Sequence, residues 1–331
     1  MGRGRDMNKK LILLTGATGR IGPHVHELLI KNGYSLRIAT PDEPAKLENT
    51  EWVKTDFTLS NVDYQSLVKD VQIVVHMAAE LHNPAAMEAV NVTASEALAK
   101  ASEALGVRLF IYSSSVGVYG HPEQRIINED TPTLSLDVDT RATFLDHPFL
   151  YDYCISKLKG EVVIARSLRR TKCVMLRFSN VVTEVQIRNV ITWPMSTRIW
   201  RGGRNTHQIY VKDVAAGVDF FVSKYQNFTP GSEEQSEIYI LSNDNEPANT
   251  YGKFFWRLAK ERGKFFFLEC PFWLPRWVDR AKDRLKFKRW TIGYPAGSAI
   301  YSPNKLMRLG YNHPVGILAI QAKVISEALK Q

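Results

Sequence analysis

Tyr153 and Lys157 stand four residues apart in Leu150-Tyr-Asp-Tyr-Cys-Ile-Ser-Lys157, a stretch with helical character. On a helix, residues i and i+4 share one face, so phenol and ammonium become neighbours. The pairing suits proton transfer. A phenol with a reference pKa near ~10 is a poor base at neutral pH, and an adjacent ammonium favours its ionised form. Tyr151 is a rival, but no lysine follows it four residues on. A hydroxyl able to hold a reacting oxygen occurs upstream, in Tyr112-Ser-Ser-Ser-Val-Gly-Val-Tyr-Gly120, just past the end of an apolar run; the reading assigns Ser115, with Ser114 as its rival. Taken alone, a tyrosine–lysine spacing arises by chance in many helices and reads as a surface pair.

Context changes that reading. Leu11-Ile-Leu-Leu-Thr15 has the pattern of a buried strand, and Ile21 to Lys31 that of an amphipathic helix. Between them runs Gly16-Ala-Thr-Gly19-Arg-Ile-Gly22, a glycine-rich turn of the kind that cradles a dinucleotide pyrophosphate. Gly16 permits the tight turn, Gly19 admits close backbone approach, and Gly22 lets helix and sheet pack. Thr18, Arg20 and Ile21 complete the loop, and the helix N-terminus offers free N–H groups to phosphate. Pro23 falls in the first turn, where a missing donor costs little. A nicotinamide placed by this turn gives Tyr153 and Ser115 a hydride transfer to accompany, and Lys157 a ribose to bond.

Coenzyme choice stays open between NAD and NADP. The second strand, Tyr34 to Thr40, ends on Thr40 where an acidic residue would take the ribose hydroxyls; Pro41 and Asp42 follow. No arginine comes next to receive a 2′-phosphate, although Arg37 lies within the strand. Asp56 and Phe57, after the third strand, are placed to flank the adenine, with a turn or capping role for Asp56 an equal reading.

The elements that must position these groups alternate. Gln72–His76 and Leu109–Ser113 read as further strands, Ala85–Leu105 as one long helix, Tyr151–Arg170 as the helix of the tyrosine and lysine, and Cys173–Arg177 as another strand. Continuous apolar strands separated by helices imply an α/β fold: a Rossmann-type doubly wound parallel sheet, with a smaller C-terminal substrate lobe. Residues 1–8 are expected to be a disordered tail, 9–180 the NAD(P)-binding domain, and 181–331 mainly a substrate-binding lobe partly interleaved with it. The polar stretch from Pro122 to Phe149 reads as a loop over the site.

Bulk properties narrow the partners. The 331 residues are 44% hydrophobic and 23% charged, without an apolar run of the roughly 20 residues that span a bilayer. Cys154, Cys173 and Cys270 are widely spaced and form no CxxC pair, which favours a reducing, cytoplasmic setting and no metal site. The net charge of +9 is uneven: Lys253 to Arg308 holds 14 Lys/Arg against 4 Asp/Glu. That surface attracts anions. No nucleic-acid motif accompanies it. The aromatic segment 265–290 could meet a membrane surface, but packing on the core is the stronger reading.

Together these motifs resemble the extended short-chain dehydrogenases/reductases, the NAD-dependent epimerase/dehydratase family, whose branches include UDP-galactose 4-epimerase and the 3β-hydroxysteroid dehydrogenases. The resemblance runs through the glycine turn, His76-Met-Ala-Ala79, Asn91, the Ser-Ser-Ser…Val-Tyr-Gly stretch, and Tyr153/Lys157. It continues through Leu176-Arg-Phe-Ser-Asn180, Ile209-Tyr-Val-Lys-Asp213 and Tyr301-Ser-Pro-Asn-Lys305…Leu309-Gly-Tyr311. It implies catalytic roles for Ser115, Tyr153 and Lys157. Ala78, Ala79 and Ser113 would line the cofactor, Asn91 would support the active-site helix, and Asn180 would sit near the nicotinamide or substrate. It also implies a homodimer. Val116 and Gly117 occupy the places where sugar-nucleotide dehydratases carry an Asp-Glu pair, which argues against elimination of water.

Three functions compete. A 4-epimerase or 4-keto reductase for a nucleotide sugar ranks first, with Arg201, Arg204 or Arg276 as diphosphate clamps. A dehydrogenase for an apolar alcohol such as a sterol ranks second. A non-catalytic NAD(P)-binding sensor or assembly protein ranks last, because this chain keeps both tyrosine and lysine.

Overall fold

The computed structural model describes residues 10–42, 49–120, 124–141, 148–229, 235–245, 249–264 and 299–330, with scattered positions from 267 to 285. The expected tail 1–8, the candidate clamp Arg276 and most of segment 265–290 lie outside the described residues. The chain forms two compact units, each from three segments. The first comprises Met1–Ser114, Ile155–Leu176 and Ala215–Ile238; the second comprises Ser115–Cys154, Arg177–Val214 and Tyr239–Gln331.

The first unit is built on the seven-stranded sheet. Its strands are β1 (Leu11–Thr15), β2 (Ser35–Thr40), β3 (Thr50–Lys54), β4 (Ile73–His76), β5 (Leu109–Ser115), β7 (Lys172–Phe178) and β10 (Ser236–Leu241), while β6 (Ile126–Ile127) lies elsewhere. The order is β10-β7-β5-β4-β1-β2-β3, the doubly wound Rossmann arrangement. From β3 through β5 every pairing is parallel. β4 is buried throughout and β5 in all but its last residue, as a sheet covered on both faces requires. Helices α1 (Gly22–Lys31) and α2 (Tyr64–Val68) follow β1 and β3. Leu13, Val74, Leu98, Phe110 and Met175 share one core.

The helix expected as continuous from Ala85 is instead three pieces. An α-turn, α3 (Pro84–Met87), leads into a π-helical segment (Glu88–Ala94) and then α4 (Ser95–Ala104). Spacing of apolar residues cannot reveal this widening, because each piece still buries one stripe. β5 also runs two residues further than expected, so Ser115 is its last residue rather than lying beyond it. The helix carrying Tyr153 and Lys157 is α5 (Pro148–Ser167), shifted toward the N-terminus from its expected bounds. Gly160 on α5 explains its close seating: a Cβ there would fall 2.6 Å from the carbonyl of Asn91 and collide with the Tyr112 hydroxyl.

The second unit contains two small parallel ribbons. β6 pairs with β11 (Ile300–Tyr301), and β8 (Asn180–Val182) pairs with β9 (Gln208–Tyr210). Helices α6 (Glu184–Ile191), α7 (Met195–Arg201), α9 (Tyr251–Glu261), α10 (Asn304–Arg308) and α11 (Ile317–Lys330) surround them, and α8 (Val211–Tyr225) starts here. Asp213 ties the late motif down. Its fully buried carboxylate accepts from Val315 and Gly316 N–H at 2.8 and 3.0 Å, and its carbonyl accepts from the Tyr311 hydroxyl at 2.6 Å. Among the described residues no helix is long and apolar enough to cross a membrane.

Asp213→Ala would remove the carboxylate that accepts from two part-buried N–H groups, Val315 and Gly316, bonds to a charged group worth roughly 1–3 kcal/mol each. A loss of about 2–4 kcal/mol in urea unfolding is expected; an unchanged midpoint would show that the clamp is dispensable.

Candidate active site

The glycine turn leaves room for bare backbone only. Gly16 has φ +70°, a left-handed conformation, and an added Cβ would meet Ala78 N at 2.6 Å. A Cβ on Gly22 would lie 2.5 Å from Ala17 Cα. Gly19 N–H bonds Gly16 carbonyl at 3.1 Å, closing the loop, while Thr18, Gly19 and Arg20 stay exposed and Ile21 half-buried. Met77, Ala78 and Ala79 sit partly exposed beyond the end of β4.

Beneath this loop lies a polar network whose proton positions follow from counting. Thr15 Oγ1 accepts from Met77 N–H at 3.1 Å and Ala78 N–H at 3.0 Å, which uses both lone pairs. Its own proton therefore goes to His76 Nδ1, 2.8 Å away. The imidazole then carries its hydrogen on Nε2 and donates to Ser95 Oγ at 2.8 Å. Ser95 in turn donates to the carbonyl of Val90, five residues back in the π segment, at 3.4 Å. Burial, reinforced by repulsion from Lys157, pushes His76 down to about 3, so it stays neutral.

The π segment also displays Asn91. Its amide accepts from Glu80 N–H at 2.8 Å and donates to Glu80 carbonyl at 2.8 Å and to Ser156 Oγ, on α5, at 2.9 Å. One turn of α5 then presents Lys157, 1% exposed, with Nζ 4.0 Å from the centre of the Tyr112 ring. Among the described residues this ammonium has no hydrogen-bond partner. Burial lowers its pKa to about 7, opposed by the charge of Glu161. Glu161 is itself 4% exposed and accepts from Ser114 Oγ at 2.5 Å. Ser113 is buried as well.

Around the expected adenosine end, Thr40 donates its hydroxyl to the Asp42 carbonyl at 2.6 Å. Asp56 accepts from the N–H and hydroxyl of Thr58 at 2.9 and 2.7 Å, which holds its carboxyl below the ordinary value. Phe57 is buried in the core. Arg37 is turned away: its guanidinium bonds Glu51 at 3.1 Å and the carbonyls of Leu67 and Lys69 at the end of α2.

In the second unit, Ser115 and Tyr153 come together. Ser115 Oγ accepts from Gly117 N–H at 3.0 Å and shares a hydroxyl–hydroxyl hydrogen bond with the Tyr153 phenol. Burial raises that phenol well above its ordinary range, while the Ser115 bond acts in the opposite sense. Gly117 makes room here, since a Cβ would lie 2.5 Å from Cys154 Sγ. Tyr119 and Arg177, from two separate motifs, meet at 2.7 Å with the guanidinium over the ring. Asn180 exposes its side chain, and its N–H bonds the His207 carbonyl at 2.8 Å. Arg201 is exposed and lies over Trp193, and Arg204 is half-buried.

Two participants escape the sequence reading. Glu161 repeats the i+4 step beyond Lys157, a signal that was available in the spacing. Tyr112 stood in a motif, but nothing local tells that its ring lies under an ammonium.

A Rossmann sheet order, a glycine turn closed against the next strand end, and a serine-bonded tyrosine are together the features of the extended short-chain dehydrogenase/reductase class. The chain belongs to the NAD dependent epimerase/dehydratase family, whose profile matches residues 12–235. It is 27% identical over 189 residues to a putative UDP-glucose 4-epimerase of Methanocaldococcus jannaschii, covering 53% of this chain and 57% of that one. It therefore spans little more than half the length of this relative. A sterol-4-alpha-carboxylate 3-dehydrogenase (decarboxylating) of Dictyostelium discoideum is 26% identical over 278 residues, 77% of each chain. Among solved structures, MoeE5 in complex with UDP-glucuronic acid and NAD aligns with a TM-score of 0.68 at 17% identity, covering 96% and 99% of the two chains. That likeness establishes the shared fold.

Gly16→Ala places a Cβ in a left-handed backbone and against Ala78. Titration calorimetry should show NAD affinity falling more than about tenfold, equivalent to roughly 1.4 kcal/mol. Binding equal to the unsubstituted protein would mean that the turn does not hold the pyrophosphate.

Proposed function

We propose that the protein transfers hydride at a ring carbinol carbon, with Tyr153 as proton carrier, Ser115 holding the reacting oxygen and Lys157 favouring the tyrosine's ionised form against the effect of its burial. The observation that carries this is the Ser115–Tyr153 hydrogen bond, with a buried ammonium one helical turn on that has no acceptor among the described residues. The residues fit a dinucleotide: the glycine turn admits a pyrophosphate against bare backbone, and the orphaned Lys157 Nζ suits a ribose hydroxyl. Ala78, Ala79, Ser113 and Asn180 would complete that surface. Bound NAD supplies the hydride acceptor or donor. The reading favours NAD over NADP, because Arg37 is committed to the α2 carbonyls and Thr40 ends β2.

In the oxidation direction Tyr153 accepts the hydroxyl proton while Ser115 donates a hydrogen bond to the same oxygen. In reduction Tyr153 returns that proton. General acid–base assistance of this kind contributes roughly 10²–10⁴-fold. Asn91, bonded to Ser156, fixes the register of α5 and so the placement of Lys157. A nucleotide sugar is the proposed substrate, supported by the UDP-sugar epimerase among the relatives and by net charge +9. A second reading, a sterol-like alcohol, is favoured by the longer alignment to the sterol dehydrogenase.

Tyr153→Phe should lower kcat by about 10²–10⁴-fold while leaving NAD affinity within about threefold; full turnover would refute the assignment. UDP-glucose should raise Tm by a few degrees at saturating concentration, since a ligand at 100 Kd adds about 2.7 kcal/mol. A rise with a 4-carboxysterol and none with any UDP-sugar would select the second reading.

A further inference from the structure

Lys157 poses an electrostatic problem. A charged ammonium 1% exposed and without a hydrogen-bond acceptor among the described residues should lose its proton, and then could not acidify a phenol. The structure offers two compensating features, on two different elements. The first is Glu161, buried and one helical turn beyond Lys157 on α5, clamped by Ser114 at the end of β5. The second is the Tyr112 ring, 4.0 Å under Nζ. Tyr112 also stacks with His76, whose ring centre is 5.7 Å away at 27°. The Nε2–H tautomer leaves that imidazole uncharged, so it adds no second cation to the stack.

We infer that Glu161 and Tyr112 are positioning residues that keep the charge on Lys157, the carboxylate as counter-ion and the aromatic ring as the face on which the ammonium rests. This rests on the proposed role of Lys157. A cation over an aromatic face is attracted by the ring quadrupole, more strongly when desolvated. The hydrogen bond from Ser114 fixes the carboxylate in place. The groups facing Lys157 are thus Glu161 from α5, Tyr112 from β5 and neutral His76 from β4. Facing Glu161 is Cys173 of β7, whose thiol burial holds up at about 12 and which therefore stays uncharged. Glu161 is the one anion in this set. Its removal lowers the proton affinity of Lys157, and the ammonium is lost at lower pH.

The experiment follows the lysine directly in the full-length protein without added coenzyme. Carbon-13 NMR of ε-labelled lysine, assigned with Lys157→Met, gives the titration midpoint of Lys157. Glu161→Gln and Tyr112→Leu should each lower that midpoint, the former by about one pH unit or more. Tyr112→Phe, which keeps the aromatic face, should superimpose on the unsubstituted protein. If Glu161→Gln does not fold, Ser114→Ala frees the carboxylate and should move the midpoint in the same direction by less. The alkaline limb of kcat/KM should shift with the midpoint, making Glu161→Gln about tenfold slower above it. Superimposable titrations for Glu161→Gln and Tyr112→Leu, or a Tyr112→Phe curve displaced like that of Tyr112→Leu, would overturn the inference. Retained turnover in Tyr153→Phe would instead overturn the catalytic reading, leaving the lysine titration to decide this one.

Discussion

The structure turns on one buried ammonium. Lys157 is held away from water on α5, and almost every feature of the first unit near it bears on where it lies or how it is charged. Gly160 lets α5 approach Tyr112 and the π segment. Asn91 reaches from that segment to Ser156 beside the lysine. His76, kept neutral by burial and by the charge of Lys157, and oriented by its bonds to Thr15 and Ser95, stacks on the ring that carries the ammonium. Replace any of these by a bulkier or charged group and the helix must move or the lysine must discharge. Such an arrangement opposes folding stability locally, since desolvating a cation is costly. It is the kind of cost found where a group's chemistry, rather than its packing, matters.

The glycine turn and this ammonium are connected through backbone and not merely through sequence order. Thr15 closes β1 and holds the N–H groups of Met77 and Ala78 at the end of β4. His76 passes that constraint to Ser95 and on to Val90. The π segment is therefore not a defect in a long helix. Its wider turns let a serine reach a carbonyl five residues back and bring Asn91 inward to the Glu80 backbone. Local widening of this sort recurs at functional sites. Here it joins the end of the sheet that carries the glycine turn to the helix that carries Lys157.

Much of this was legible in the sequence for a simple reason: strand, glycine turn and amphipathic helix are local patterns, and Tyr153 and Lys157 lie within one helical turn. The sheet follows from apolar runs that need burial on both faces. What was not legible depends on distant partners. The pairing of Ile126–Ile127 with Ile300–Tyr301 joins two-residue strands more than a hundred positions apart, and neither carries a pattern of its own. The π segment keeps the apolar stripe of an ordinary helix. Arg37 looked available to a phosphate until the carbonyl ends of α2 appeared beside it. Glu161 is different: its spacing was visible, but a glutamate on a helix suggests a solvated face unless the helix is known to be buried there.

The two compact units exchange the chain five times, at residues 114/115, 154/155, 176/177, 214/215 and 238/239. No single cut yields a whole unit. A fragment ending after Asn180 would lack the segment Ala215–Ile238 that completes the first unit, and recombination with a relative at 154/155, 176/177 or 214/215 would mix both units at once, while recombination at 114/115 or 238/239 would mix one of them. Folding must likewise bring together segments separated by scores of residues before either core closes, a topology with large loop-closure entropy and slow assembly. Evolution of a new substrate preference on this scaffold is therefore expected to proceed by point substitution and loop change, not by exchanging a lobe.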